Sequence, residues 1–330
     1  MHKSKQQSHV PSVHSFNCFV LPVPDLGEAG RFYESFGLRV VRGQDRLDLF
    51  TEGYRHCWAT IYGSSRQSKH LEYLSFGCYE RDFEPLSAYL KTRNFATCPP
   101  HRLARPGGIW LLHPDGLPIQ IVVADKSTPD HPLTPSIAPG SGPRVAVAPS
   151  RSMVRKVAPR RLSHVLPFSI DVPRAIAFFA DALGLRLSDR SGDGIAFMHG
   201  AHGSDHHLVA IAKSTGPGLH HSSWDVASLD EVGTGMQQMC IAGYTKGWGV
   251  GRHVLGSNYF YYVRDPWGSY CEYPYDIDYI PKGHEWAAGD HPPEDSFYMW
   301  GPPVPEDFVT NYELNGGQQC ASWLSTTTIR

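Results

Sequence analysis

Residues 251–273, GRHVLGSNYFYYVRDPWGSYCEY, combine a polar loop, a strand over 259–263, a tight turn and a returning strand that carries Glu272. The flanks are β-branched or aromatic, and Asp265-Pro266-Trp267-Gly268 supplies the residue types that a turn requires, so the stretch reads as a β-hairpin. Glu272 stands among Tyr270, Cys271, Tyr273 and Pro274, a mostly apolar setting. A buried carboxylate without a partner is costly, so Glu272 needs a cation, a donor or open water. Two histidine-bearing strands upstream offer the remaining parts of a metal site.

Outward from the hairpin, the same kinds of element recur. A strand over 162–170 leads through Asp171-Val172-Pro173 into a helix ending at 183, with Gly184 where a C-cap glycine belongs. Strands over 194–198, 207–212 and 219–226 and a helix over 229–242 complete the half. The first third of the chain repeats this order. A strand over 16–23 is followed by Pro24-Asp25, a helix closed by Gly37, and strands near 47–50, 56–62 and 71–78. A helix over 83–92 and strands over 109–113 and 118–123 follow, the last two joined by Pro114-Asp115-Gly116.

Arg31-Phe32-Tyr33 with Gly37-Leu38-Arg39-Val40 matches Ala177-Phe178-Phe179 with Gly184-Leu185-Arg186-Leu187, and the unit is about 110 residues long. The expected fold is α+β, a tandem of βαβββ modules in two domains. The expected boundaries are a disordered N-terminus (1–13), an N-terminal module (14–124), a Pro-rich linker (125–160), a C-terminal module (161–285) and an irregular tail (286–330).

Composition narrows the class. The chain has 330 residues, 41% hydrophobic and 19% charged, with a formal net charge of −2, which excludes a strongly basic nucleic-acid-binding surface. Arg and Lys cluster only within 151–161, among prolines and small residues, as a solvated linker would have them. Seven cysteines, odd in number and without a CxxC pair, imply neither a disulfide framework nor a zinc knuckle. The start lacks an apolar secretory segment, and no apolar run approaches the roughly 20 residues that span a bilayer. A cytoplasmic protein without membrane or nucleic-acid partners is expected. Eighteen histidines are the one compositional hint of metal chemistry.

Taken together, the motifs of the second half resemble those of the type I extradiol ring-cleaving dioxygenases of the vicinal oxygen chelate (glyoxalase/bleomycin resistance) superfamily. The residues that carry the resemblance are Ser163-His164, the run from Leu219 through His220-His221 to Val226, Gly251-Arg252-His253, Tyr262, and the run from Pro266 through Glu272 to Tyr273. The resemblance implies an iron site made by His164, His221 and Glu272, with Fe(II) as the metal and Mn(II) as the other ion found in such sites. A 2-His-1-carboxylate face leaves positions open for both oxygens of a catechol and for O2. It further implies that His207, His253 and Tyr262 are the acid–base and hydrogen-bonding residues. His220 and His221 are adjacent, so a regular strand turns them to opposite faces and only one can be a ligand; the resemblance selects His221. The same choice arises at His206 and His207, and the resemblance selects His207.

The N-terminal module serves as a control. Aligning the two modules sets Cys18 opposite His164, Tyr73 opposite His221, and Gln120 opposite Glu272; Cys, Tyr and Gln do not make an iron site. The expected activity is opening of a catechol ring by O2, in a homo-oligomer. Two alternatives share the fold: a lyase, isomerase or thiol transferase using another metal, and a metabolite-sequestering protein that needs none. Trp286, Phe297, Tyr298, Trp300 and Phe308 in the tail suit either a bulky substituted catechol or simple packing.

Overall fold

A computed structural model describes residues 11–104, 106–132 and 148–314. The N-terminal domain runs β1 (Ser15–Val23), α1 (Leu26–Phe36), β2 (Arg39–Arg42), β3 (Arg46–Phe50), β4 (Ala59–Gly63), β5 (Tyr73–Cys78), α2 (Glu80–Thr92), β6 (Ile109–Leu112) and β7 (Pro118–Val123). The C-terminal domain repeats it as β8 (Arg161–Ser169), α3 (Val172–Leu183), β9 (Arg186–Ser191) and β10 (Ile195–His199). It continues with β11 (Ser204–Asp205), β12 (Val209–Lys213), β13 (Gly218–Asp225), α4 (Leu229–Ile241), β14 (Gly247–His253), β15 (Tyr259–Arg264) and β16 (Tyr270–Tyr275). Then come β17 (Tyr279–Ile280), β18 (Gly289–Asp290), the short α5 (Pro293–Ser296) and β19 (Tyr298–Trp300).

The two halves begin with the same local chemistry. Asp25 and Asp171 cap α1 and α3 by accepting from the N–H of Glu28 and Arg174, and both helices end on a left-handed glycine, Gly37 at φ 97° and Gly184 at φ 70°. Each helix lays a face of Ala and Phe against the sheets, and one continuous core joins both domains. Phe36 of α1 stacks on Tyr273 at 4.0 Å, and the Tyr273 hydroxyl donates to the Phe36 carbonyl.

The sheets share one strand order. The N-terminal sheet is β2-β3-β4-β1-β5-β7-β6, and the C-terminal sheet contains the matching run β9-β10-β12-β8-β13-β16-β15, followed by β14. In the N-terminal domain an isolated Thr97–Leu111 bridge stands where β14 stands in the other. Each domain therefore holds two βαβββ units. Register confirms the equivalences: Ser75 pairs with Cys18 and with Gln120, and Ser223 pairs with His164 and with Glu272.

Four expectations need correction. β2 (RVVR) and β9 (RLSDRS), absent from the expected strands, lie at or next to a sheet edge and mix charged residues with short apolar or small polar ones, so neither shows a long apolar run or a clean alternation. The segment Gly251-Arg252-His253 is the end of a strand, β14, rather than a loop; its glycines suit crowding, since a Cβ on Gly251 would meet the Phe260 ring and the Trp300 carbonyl within 3 Å. His207 lies just before β12, in a short connection rather than in the strand. Within its described residues the tail carries short regular elements: β18 extends one edge of the C-terminal sheet and β19 the other.

Most of the polar segment 1–13 and residues 133–147 of the linker lie outside the described residues, as does the tail beyond 314. The last residues before β1 pack tightly: Val13 is buried and its N–H donates to the Leu183 carbonyl. Among the described residues, no helix is long and apolar enough to cross a membrane.

Candidate metal centre

His164, His221 and Glu272 come from β8, β13 and β16, three neighbours in the sheet. Ser223 stands between His164 and Glu272 in the ladder, and His221, two residues back, shares its face. The result is a buried triangle. His164 Nε2 lies 3.3 Å from His221 Nε2 and 3.3 Å from Glu272 Oε2, and His221 Nε2 lies 3.8 Å from the same oxygen. Among the described residues this is the group of three metal-competent donors found within 4.8 Å of one another.

The surrounding hydrogen bonds settle where the protons sit. His220 Nε2 is 2.7 Å from the Phe308 carbonyl, which can only accept, so His220 donates there and its Nδ1 is an acceptor. His221 Nδ1, 2.7 Å from His220 Nδ1, must then carry the proton, leaving its Nε2 as a free lone pair. On the other ligand, Ser163 Oγ donates to Asp205 and accepts from His164 Nδ1 at 3.2 Å, while Arg161 holds Asp205 through both carboxylate oxygens. His164 Nε2 is therefore also a bare lone pair. Glu272 Oε1 accepts from Asn258 Nδ2 at 3.1 Å, but no donor reaches Oε2, although Glu272 is fully buried.

Three lone pairs thus meet without a proton between them. Bonds of about 2.0–2.2 Å to one ion would set neighbouring donors roughly 3 Å apart in an octahedral face. A cation fits this donor set, and orienting partners behind each ligand histidine are the usual accompaniment of a metal. Burial, then the neighbouring histidines, push the His221 ring well below its ordinary value, which keeps it neutral as a ligand must be.

The remaining expected residues surround the triangle. The His207 ring centre is 4.0 Å from that of His164, and burial with adjacent histidines pushes His207 well below its ordinary value. Tyr262 pairs directly with Glu272 across the β15–β16 ladder, and its hydroxyl is 2.9 Å from His253 Nε2. His253 Nδ1 donates to the Phe297 carbonyl at 2.8 Å, so the Tyr262 hydroxyl donates to Nε2. Burial, then Glu272, raises the Tyr262 hydroxyl well above its usual range.

Several participants were not legible beforehand. A register shift in β13 between Leu219 and His221 makes His220 a bulged residue and lets it reach its neighbour's Nδ1. The doublet His220-His221 was the only available signal. Asn258 had none. Phe297 and Phe308, from the tail, line the cavity beside the triangle together with Leu166, Ile195 and Phe197, and both also supply the carbonyls that orient His253 and His220. At the equivalent positions of the N-terminal domain, Ser75 Oγ donates to Gln120 and Tyr73 packs on Trp110.

Residues 161–273 match the Glyoxalase/Bleomycin resistance protein/Dioxygenase superfamily. Over 318 residues the chain is 51% identical to metapyrocatechase 2 of Cupriavidus necator, covering 94% of this chain and 98% of that protein. It is 28% identical to the biphenyl-2,3-diol 1,2-dioxygenase of Paraburkholderia xenovorans (strain LB400), over 88% of this chain and 95% of the relative. The room-temperature structure of an extradiol ring-cleaving dioxygenase from B. fuscum shares the fold with a TM-score of 0.71 at 19% identity, covering 93% of this chain and 84% of that one. With half its residues shared along nearly the whole length of metapyrocatechase 2, the chain belongs to the extradiol ring-cleaving dioxygenases of this superfamily.

Proposed function

We propose that His164, His221 and Glu272 hold Fe(II), and that the cavity beside them binds a catechol whose ring is opened by O2. The observation that carries this reading is the buried Glu272 Oε2, which no donor reaches and which faces the Nε2 lone pairs of both histidines. When bound, the ion supplies adjacent positions for both catechol oxygens and O2 and lets electron density pass from the ring to the oxygen. Mn(II) would satisfy the same donors.

The protein does the rest through protons and shape. His207, neutral and against His164, accepts or returns a proton at the reacting ring. Tyr262 and His253 form a second relay beside Glu272, in which the Tyr262 hydroxyl donates to His253 Nε2. It is thereby placed to steer a substrate oxygen and take part in the later proton movements. The apolar walls exclude water and accept the ring. Among the described lining residues there is no Lys or Arg to meet an anionic substituent, so we read the substrate as a catechol with an uncharged alkyl or aryl substituent. We also place the protein in the cytoplasm, where its described free cysteines would stay reduced. A homo-oligomer is supported by β19, an outer strand on which Met299 and Trp300 are exposed.

The test is oxygen uptake by anaerobically purified, Fe(II)-loaded protein given catechol, 3-methylcatechol and 2,3-dihydroxybiphenyl. One O2 consumed per yellow product is expected. Glu272→Ala should lose iron, whereas His207→Ala should keep it and lose turnover by about 10²–10⁴-fold. Normal iron content and turnover in Glu272→Ala would refute the assignment. Tight catechol binding by the iron-loaded protein without uptake would point instead to sequestration.

A further inference from the structure

His207 is not oriented by the cavity it lines. Its Nδ1 lies 3.1 Å from Nδ1 of His206, and His206 Nε2 lies 2.8 Å from Asp189 Oδ2. The His206 ring is fully buried and packs edge-on against Trp286, with centroids 5.3 Å apart. Asp189 is held from three further directions, all within the tail: the Gly289 N–H at 2.8 Å, His291 Nε2 at 2.9 Å and Trp286 Nε1 at 3.4 Å. A carboxylate surrounded in this way only accepts, so His206 must donate from Nε2. A neutral imidazole with its proton on Nε2 offers a lone pair at Nδ1. His207 must then donate from its own Nδ1, which leaves its Nε2 unprotonated.

We propose that Asp189 and His206 are positioning residues that fix His207 in the Nδ1–H tautomer, presenting a bare Nε2 to the bound substrate. The inference builds on the reading of His207 as the acid–base residue. The arrangement parallels His220 behind His221: in both doublets the first histidine sets the proton of the second, and in both the group behind the first histidine belongs to the tail or is held by it. Here the terminal group is a side chain, so it can be altered without touching the backbone. Asn at position 189 can donate where Asp can only accept. A donated N–H to His206 Nε2 reverses the chain, puts the His206 proton on Nδ1, and turns His207 Nε2 into a donor.

The experiment compares wild type, Asp189→Asn, His206→Leu and His206→Asn as full-length proteins. Ring ¹⁵N shifts of labelled histidine in the diamagnetic Zn(II)-loaded protein read the tautomer without any turnover. Iron content, kcat and KM are measured on the Fe(II) form. The expected result is Nδ1–H on His207 in wild type and Nε2–H in Asp189→Asn. Iron content and KM should be unchanged, with kcat reduced about 10–100-fold, the usual effect of losing an outer orienting partner. His206→Asn, which keeps an acceptor near the Nδ1 position, should recover at least tenfold over His206→Leu. The same tautomer in wild type and Asp189→Asn, or wild-type kcat in both Asp189→Asn and His206→Leu, would overturn the proposal. A wild-type protein that opens no catechol yet shows the tautomer switch would defeat the functional reading while leaving this one standing.

Discussion

Replacing His220 by Leu should damage both the fold and the metal site, by an amount that follows from counting groups. His220 is buried and makes two hydrogen bonds of 2.7 Å, one to the Phe308 carbonyl and one from His221 Nδ1. Leu fills similar space and satisfies neither, so the Phe308 carbonyl and the His221 N–H are both left without a partner. Each orphaned buried group costs about 1–3 kcal/mol, or about 2–6 kcal/mol for the pair. At about 2.1 cal/mol/K of unfolding entropy per residue, the 330-residue chain has roughly 0.7 kcal/mol/K, so the midpoint of the metal-free protein should fall by roughly 3–9 °C. His221, free to rotate or to shift its proton to Nε2, should bind the ion about 10–100-fold more weakly. Differential scanning calorimetry of metal-free protein and anaerobic Fe(II) titration read the two effects separately. His220→Asn can still accept from His221 but cannot reach Phe308, so it should show about half of that stability loss and little loss of affinity. A His220→Leu protein with wild-type midpoint and wild-type iron affinity would refute the assignment of both tautomers.

Two further outcomes concern the joints that hold the site together. Lys69 and Asp265 form a buried ion pair of 2.5 Å between the N-terminal domain and the turn before β16, with exposures of 1% and 3%. Lys69→Met strands the carboxylate and should cost about 3–5 kcal/mol, most of it recovered in Lys69→Met/Asp265→Asn, as thermal unfolding of the single and double variants would record. Glu313 accepts from the Leu71 and Leu219 N–H groups, tying the tail to both domains, and burial pushes its carboxyl up to about 7 despite Lys69 and those donors. Because the folded value lies above the unfolded one, this anchor contributes fully below about pH 4.5 and is lost as pH rises through about 7. Midpoints measured from pH 5 to 8.5 should show wild type losing ground to Glu313→Gln toward the alkaline end; parallel curves would contradict it.

The features legible beforehand are those written in neighbouring residues. Asp25 and Gly37, and again Asp171 and Gly184, mark helix ends by hydrogen bonds that span three or four positions. The Asp265–Gly268 turn needs only its own four side chains. Duplication is visible because both halves keep these signals at the same spacing, and aligning them placed Cys18 and Gln120 at the ladder positions of His164 and Glu272. Glu272 could be singled out because a carboxylate in an apolar strand demands a partner wherever that strand goes.

What folding alone supplies is convergence over distance and backbone chemistry. His164 and His221 are 57 residues apart and meet only because β8 and β13 pair in one register. The doublets His206-His207 and His220-His221 looked like choices between a ligand and a bystander, since a regular strand would part their side chains. The bulge in β13 and the connection before β12 abolish that alternation, so each pair became one hydrogen-bonded unit. The tail hid its role most completely. The carbonyls of Phe297 and Phe308 that set two histidine tautomers belong to the backbone, which every residue carries alike. The two- and three-residue strands β18 and β19 are too short to show a period and exist only where the edges of the C-terminal sheet offer unpaired N–H and C=O groups.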